Sequence, residues 1–225
     1  ITTPSEMTIS CSASDISGSL ADWLAANGNA LATDECDSNL SWSNAALDAI
    51  GMCGSTSSTP YVFTVTDDCN NSATAIANFI TVDTQAPELE LPENETVECD
   101  GALNFNDLQD WLESVDGSDD CYAVLTFDSE LFNTISDCGG GQTEVYLFTA
   151  TDECGNSSTG LGEFTIVDKT PPVIVCPDDL ELECGEIEND QIILQWLNTG
   201  TATDICSGVT VEADYPGMLP EDCNG

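Results

Sequence analysis

The sequence predicts an all-β-dominated chain of tandem β-sandwiches, each with one short helix that carries a core tryptophan. Three observations lead there: a long repeat, strand-length runs of alternating apolar and polar residues, and Gly/Asn/Asp turns between them. TDDCNNSATAIANFITVDTQAP (66–87) and TDECGNSSTGLGEFTIVDKTPP (151–172) align without a gap at an offset of 85. Cys36, Cys53 and Cys69 recur at Cys121, Cys138 and Cys154 with the same offset, and Cys99, Cys121 and Cys138 recur at Cys184, Cys206 and Cys223. Cys11 lies 88 before Cys99, so the first unit has three extra residues, placed after Trp23. A tryptophan follows the first cysteine by twelve in every unit (Trp23, Trp111, Trp196). Cys176 has no counterpart. The expected domains are residues 1–86, 87–171 and an incomplete third repeat, 172–225, and the chain is expected to be a piece of a longer processed array.

The elements follow in chain order. Ile9-Ser10-Cys11, Val97-Glu98-Cys99 and Leu182-Glu183-Cys184 alternate as a half-buried strand does. A helical face comes next in unit two, with Leu108, Trp111, Leu112 and Val115 at helical spacing, Asn106 as N-cap and Gly117 as the stop. Units one and three repeat it with Leu20, Trp23, Leu24 and Gly28, and with Ile193, Trp196, Leu197 and Gly200. The tryptophan is read as a core anchor. Leu40 with Trp42, and Leu125 with Phe127, mark the next strand; Val209 and Val211 stand one residue out of register in unit three. YVFTVTD and VYLFTATD then run into an acidic turn, and NFITVD or EFTIVD closes a hairpin. Strands and turns of this kind, at this repeat length, suit a small β-sandwich.

Composition excludes several classes. There are 42 acidic residues against one basic residue, Lys169, and no His, giving a net charge of −41. Nucleic acid and anionic membrane surfaces both require a basic face, so neither is expected as a partner. No apolar run approaches the length of a membrane span. Without His or Arg there is no Ser-His or Cys-His pair and no guanidinium for an oxyanion, so no enzyme is expected. A hydrophobic share of 41% supplies compact cores. Twelve cysteines at repeating positions, with no CxxC pairs, point to disulfides and an oxidising extracellular setting rather than zinc.

An immunoglobulin-like path sorts the cysteines to two poles. The end of the first strand and the turn before the penultimate strand lie at one pole. The loop after the helix and the last hairpin turn lie at the other. The expected bridges are therefore Cys11–Cys53, Cys36–Cys69, Cys99–Cys138, Cys121–Cys154 and Cys184–Cys223, with Cys206 waiting for a partner. The other connectivities of four cysteines stay open.

The phrases VECDG…DWL, TATDECGNSS and FTIVDKTPPVI resemble the hyalin-repeat-like units of giant Bacteroidota surface proteins, such as type IX-secreted gliding-motility adhesins. The resemblance spans essentially the whole chain. It implies extracellular immunoglobulin-like sandwiches strung into an elongated stalk or filament. Unit one departs from the motif with Asn70-Asn71 in place of Gly155-Asn156, which a left-handed asparagine tolerates.

The repeated phrase is thus a last hairpin plus a linker, and the proline-ended linkers 82–87 and 167–172 should be short and stiff. Linker Asp83 and Asp168 should meet the acidic loops of the following unit: Asp119, Asp120 and Asp152, and Asp204. Converging carboxylates without a basic partner suit Ca²⁺, which takes oxygen ligands in flexible geometry; the plainer reading is a solubilising acidic surface. The functional expectation is a non-catalytic stalk whose partners are neighbouring repeats. Alternatives are a self-polymerising fibre completed by strand donation, and repeats that bind glycan or another surface directly. Direct binding predicts exposed aromatics at matching positions.

Overall fold

The computed structural model describes residues 1–36, 38–121, 124–183 and 189–214. Cys184 and Cys223, and the bridge expected between them, lie outside the described residues.

Repeat 1 starts with β1 (Met7–Ser10), which leads into α1 (Ile16–Ala25), then β2 (Ser41–Ala46), the two-residue β3 (Ile50–Gly51), β4 (Ser57–Thr66) and β5 (Ser72–Val82). Repeat 2 runs β6 (Glu88–Glu90), β7 (Glu95–Glu98), α2 (Phe105–Glu113), β8 (Asp116–Ser118), β9 (Thr126–Ser136), β10 (Gln142–Thr151) and β11 (Ser157–Val167). In repeat 3, β12 (Val173–Val175), α3 (Asn189–Leu197) and β13 (Thr201–Thr203) are described. The strands expected at 182–184 and 209–211 are not formed among the described residues.

The same sheet is built twice, in the orders β1-β5-β4-β2 (with β3 also on β4) and β7-β11-β10-β9. In each, the first strand lies parallel to the last, with Met7 opposite Phe79 and Glu95 opposite Phe164. The rest of the sheet follows from hairpins, Thr66 pairing with Ser72 around the first. Outside these two sheets stand two-stranded ribbons, β6–β8 and β12–β13, and in repeat 1 the helix covers one face of the sheet. The chain forms two compact units that cut across the sequence repeats: Ile1–Pro92 with Val115–Glu130 and Leu147–Leu161, and Glu93–Ser114 with Leu131–Tyr146 and the chain from Gly162 on. The acidic loops that follow α2 and close the β10–β11 hairpin therefore belong to one body with repeat 1.

Alternation along β4 and β5 turns Phe63, Ala77 and Phe79 to one face, and Trp23 of α1 packs on them. Ile16, Leu20 and Leu24 complete the helix's apolar stripe and, with Met7, Ile9, Trp42 and Tyr61, pack around this cluster. The indole also ties the helix to the incoming chain, donating to the Ser5 carbonyl at 3.0 Å. Trp111 and Trp196 repeat this bond to Glu93 (2.7 Å) and Asp178 (2.6 Å), each eighteen residues upstream. The core-anchor expectation agrees with the burial of Trp23 and Trp111, whereas Trp196 is half-buried.

The helix bounds of unit two differ from the expectation. Asn104, not Asn106, precedes the first turn in a left-handed conformation. Its buried amide donates to the Glu98 carbonyl and to Asp107 Oδ2, both at 2.9 Å, and so fixes the strand end to the helix start. Gly117 is not the helix stop: the helix closes at Glu113, and Gly117 sits in β8, where a Cβ would come 2.6 Å from the Glu88 carbonyl oxygen. Close strand approach, rather than helix termination, fixes this glycine.

Candidate functional site

The recurring chemistry of this chain is Asp-x-Cys. It occurs at Asp34, Asp67, Asp119, Asp152 and Asp204, and in each case Oδ1 accepts the backbone N–H of the cysteine two residues on, at 2.8–2.9 Å. These Asx turns are local: the short carboxylate replaces a backbone acceptor and fixes the direction of the cysteine. At the hairpin turns the arrangement is fuller. Asp152 Oδ1 also accepts the Asn156 N–H at 2.9 Å, Oδ2 accepts the Asn156 amide at 2.9 Å, and Gly155 takes φ 88°. Asp67 repeats it with Asn71, and Asn70 supplies the positive φ of 66°.

These contacts set the charge state. Burial works against the Asp152 carboxylate, but donors from the Asn156 side chain and the Asn156, Cys154 and Gly155 backbone outweigh it and hold its pKa below the usual value. Asp67 is held low by the Asn71 side chain first, then by the Asn71 and Cys69 backbone. A depressed folded pKa contributes stability that is complete above the unfolded value, about 3.9, and is lost as pH falls through the folded one. A carboxyl NMR titration is therefore expected to place Asp67 and Asp152 below ordinary aspartate. Midpoints at or above about 3.9 would show that the turn bonds are not formed in solution.

The cysteines that these turns present are joined differently from the expected scheme. Cys11 is bridged to Cys121, Cys53 to Cys154 and Cys99 to Cys206, with Cα–Cα distances of 5.5, 5.0 and 5.9 Å. This replaces the expected Cys11–Cys53, Cys99–Cys138 and Cys121–Cys154. Cys36 and Cys69, expected as a pair, are both free and exposed, as are Cys138 and Cys176. The assignment of cysteines to poles holds: Cys11 N–H bonds to the Val82 carbonyl at 2.9 Å, at the end of the sheet that also bears Cys53 beside Ser57, while Cys69 lies in the opposite hairpin turn. The short linker places that pole against the opposite pole of the next repeat, so thiols pair across the junction rather than within a pole. First cysteine joins second, and third joins fourth, of the following repeat.

The linkers are fastened at the same place. Gln85 N–H donates to Asp83 Oδ1 at 3.1 Å and its amide donates to Ser12 Oγ at 3.1 Å. In the second linker, Lys169 N–H and Thr170 Oγ1 both donate to Glu98 Oε1 at 2.8 Å. The Lys169 N–H first, and then the Thr170 hydroxyl, hold the Glu98 pKa low.

The candidate cation residues are partly brought together. Asp83 lies with Asp152 beside Cys154, and also beside Cys11 and Cys121; Asp168 lies with Asp204 beside Cys206. All of these sulfurs are in disulfides, so only the carboxylate oxygens remain as donors, a hard set that fits Ca²⁺ rather than zinc. Asp83 Oδ2 and Asp168 Oδ1 are buried without a hydrogen-bond partner, at equivalent positions of the two linkers. Asp119 and Asp120 do not join Asp83; with Gln85, Ala86, Glu88 and Ser118 they line a recess of about 190 Å³ beside the linker. The Asx turn commits Asp119 to the Cys121 N–H.

Several recurring aromatics are inward: Phe63 and Phe148 are fully buried, as is Phe164, and Trp23 and Trp111 are buried. The exposed Phe105 and Phe132 do not recur at the repeat offset, whereas Phe127, 38% exposed, is the equivalent of the half-buried Trp42. No helix among the described residues is long and apolar enough to cross a membrane.

No family model matches the chain, and no curated protein matches it. Among solved structures it is similar to Drosophila N-cadherin EC1-4, at 12% identity and a TM-score of 0.35, covering 74% of this chain and 48% of that one. It is similar to human CDH23 EC21-23 at 15% identity and TM-score 0.32, covering 67% and 55%. Human mucin-like protocadherin EC1-2 is a third, at 10% identity and TM-score 0.31, covering 73% and 96%. The chain thus spans about half the length of the first two.

Proposed function

We propose that this chain is a non-catalytic structural stretch of an extracellular or cell-surface adhesion array, a stalk whose consecutive repeats are locked covalently. The resemblance to hyalin-repeat-like units of Bacteroidota surface proteins supports the setting, and three disulfides fit an oxidising compartment. The observation that carries the reading is the paired bridge Cys11–Cys121 and Cys53–Cys154, which joins repeat 1 to both acidic loops of repeat 2. Two bridges on different loops, together with a short proline-ended linker, remove the freedom that a single tether leaves. Domains 1–86, 87–171 and 172–225 are the mechanical segments in this reading. Its test is the extension of a single oxidised chain under load. A length held nearly constant across the junctions supports it, and unravelling at low force in the oxidised state removes it.

The linker aspartates belong to the same reading. An unpartnered buried carboxylate oxygen is costly, and Asp83 and Asp168 each carry one beside a second carboxylate. A Ca²⁺ ion held by Asp83 with Asp152, and by Asp168 with Asp204, would satisfy both oxygens and offset the repulsion. Calorimetric titration is expected to show Ca²⁺ binding that weakens at least tenfold in Asp83→Asn/Asp168→Asn. Absence of heat at millimolar Ca²⁺ removes the cation from the reading.

A further inference from the structure

The three bridges obey one rule, and the rule assigns the thiols left over. Cys121 and Cys154, the second and fourth cysteines of repeat 2, receive Cys11 and Cys53 of repeat 1. Cys206, the second of repeat 3, receives Cys99 of repeat 2. The equivalents of the two receiving positions in repeat 1 are Cys36 and Cys69, both free and exposed. They line a common recess of about 440 Å³ with Asp34, Asp67, Asp68 and Asn71. Their Asx turns are already formed: Asp34 and Asp67 accept the N–H of Cys36 and Cys69 at 2.9 Å, as Asp119 and Asp152 do for the bridged pair. What differs is cover. Cys121 is 2% exposed and Asp152 is buried, whereas Cys36 is exposed and Asp67 is half-buried.

We propose that the Cys36–Cys69 recess is a covalent docking site for the trailing pole of another repeat of this class, which bonds its first cysteine to Cys36 and its third to Cys69. The inference rests on the reading of disulfide-locked junctions. The occupant is set by continuity with the established interface, because the same recess one repeat later holds those two cysteines. Cys138 is the matching free donor. It is the third cysteine of repeat 2, which the rule pairs with the fourth position of the following repeat, and it lies in a turn whose Gly140 packs against the Cys206 carbonyl of repeat 3. Each new bridge removes two protons and two electrons from a thiol pair. A small-molecule disulfide such as oxidised glutathione accepts them and leaves as two thiols, by exchange through a mixed disulfide.

The test uses the whole chain and a second copy of it as probe. The concentrated protein is incubated in a glutathione redox buffer, then alkylated, digested without reduction and mapped. A ladder of disulfide-linked copies is expected, with Cys36 joined to the first and Cys69 to the third cysteine of another copy's last repeat, Cys184 and Cys223 by register. The ladder should fall at least tenfold in Cys36→Ser/Cys69→Ser. A Cys36–Cys69 bridge within one chain overturns the proposal. So does a map in which both remain free thiols while Cys11–Cys121 and Cys53–Cys154 are intact. Absence of those two native bridges would overturn the locked-junction reading itself, so the two failures are distinguishable.

Discussion

Pulled end to end, the oxidised chain is expected to lengthen between Cys11 and Cys206 by less than about 100 Å, and the reduced chain by several times more. The bridges interlace: Cys99–Cys206 opens before Cys11–Cys121 closes, since Cys99 precedes Cys121 in the chain. The shortest covalent path from Cys11 to Cys206 therefore crosses one bridge, returns through the segment 99–121 and crosses the other. That segment advances 22 residues against 195 along the unbridged backbone. At roughly 3.3–3.6 Å per extended residue, the bridged path reaches about 75 Å plus two bridge spans of 5.5 and 5.9 Å, whereas the open chain reaches about 670 Å. Only α2 and β8 lie on the loaded path; both large hairpins are shielded from load. Force spectroscopy with handles at the two ends, before and after reduction, measures the difference directly. Equal contour lengths in the two states would mean that the bridges do not carry load. The same closure restrains the unfolded chain, and loops of about 100 residues correspond to roughly 3–5 kcal/mol each in a chain-entropy account. The two effects overlap, because a chain already closed by one bridge loses less when the next is made.

Much of this architecture is legible in the sequence. Alternation along YVFTVT and NFITV places the hairpin, and the twelve-residue step from first cysteine to tryptophan places the helix over the core. The poles of the cysteines follow from the strand path, and the structure keeps them. The pairing does not follow, because a periodic sequence carries the same four cysteines in each unit. Bridges within a unit and bridges to the next one are equivalent on the period, and linker length decides between them. Asp-x-Cys is visible five times over, but charge alone suggests an ion ligand at Asp119, which serves its own turn as Asp34 and Asp67 do. Asn104 was missed as the helix start because its left-handed backbone leaves no mark on the hydrophobic period. The buried oxygens of Asp83 and Asp168 depend on packing around the linker, and composition does not encode that.

Replacing Trp23 by alanine is expected to cost about 3–5 kcal/mol, the range for removing a large aromatic from a close-packed core. The indole meets Tyr61 and Phe63 edge-on with centroids at 5.6 and 5.2 Å, and lies tilted against Phe79 at 5.9 Å. Its loss strips three aromatic contacts at once and leaves the Ser5 carbonyl without its Nε1–H donor. The two contributions separate in Trp23→Phe, which keeps much of the apolar contact and loses the hydrogen bond, and should cost about 1–3 kcal/mol. Urea unfolding of the oxidised chain, followed by near-ultraviolet circular dichroism, reads both variants. The same pair of variants tests the direct-binding alternative. A tryptophan only 5% exposed has no face to stack on a sugar ring. Trp23→Ala should therefore lower stability while Trp23→Phe leaves any surface adhesion of the folded chain unchanged. Adhesion lost in a stably folded Trp23→Phe chain would instead place the indole at a ligand and turn the helix into part of a binding face.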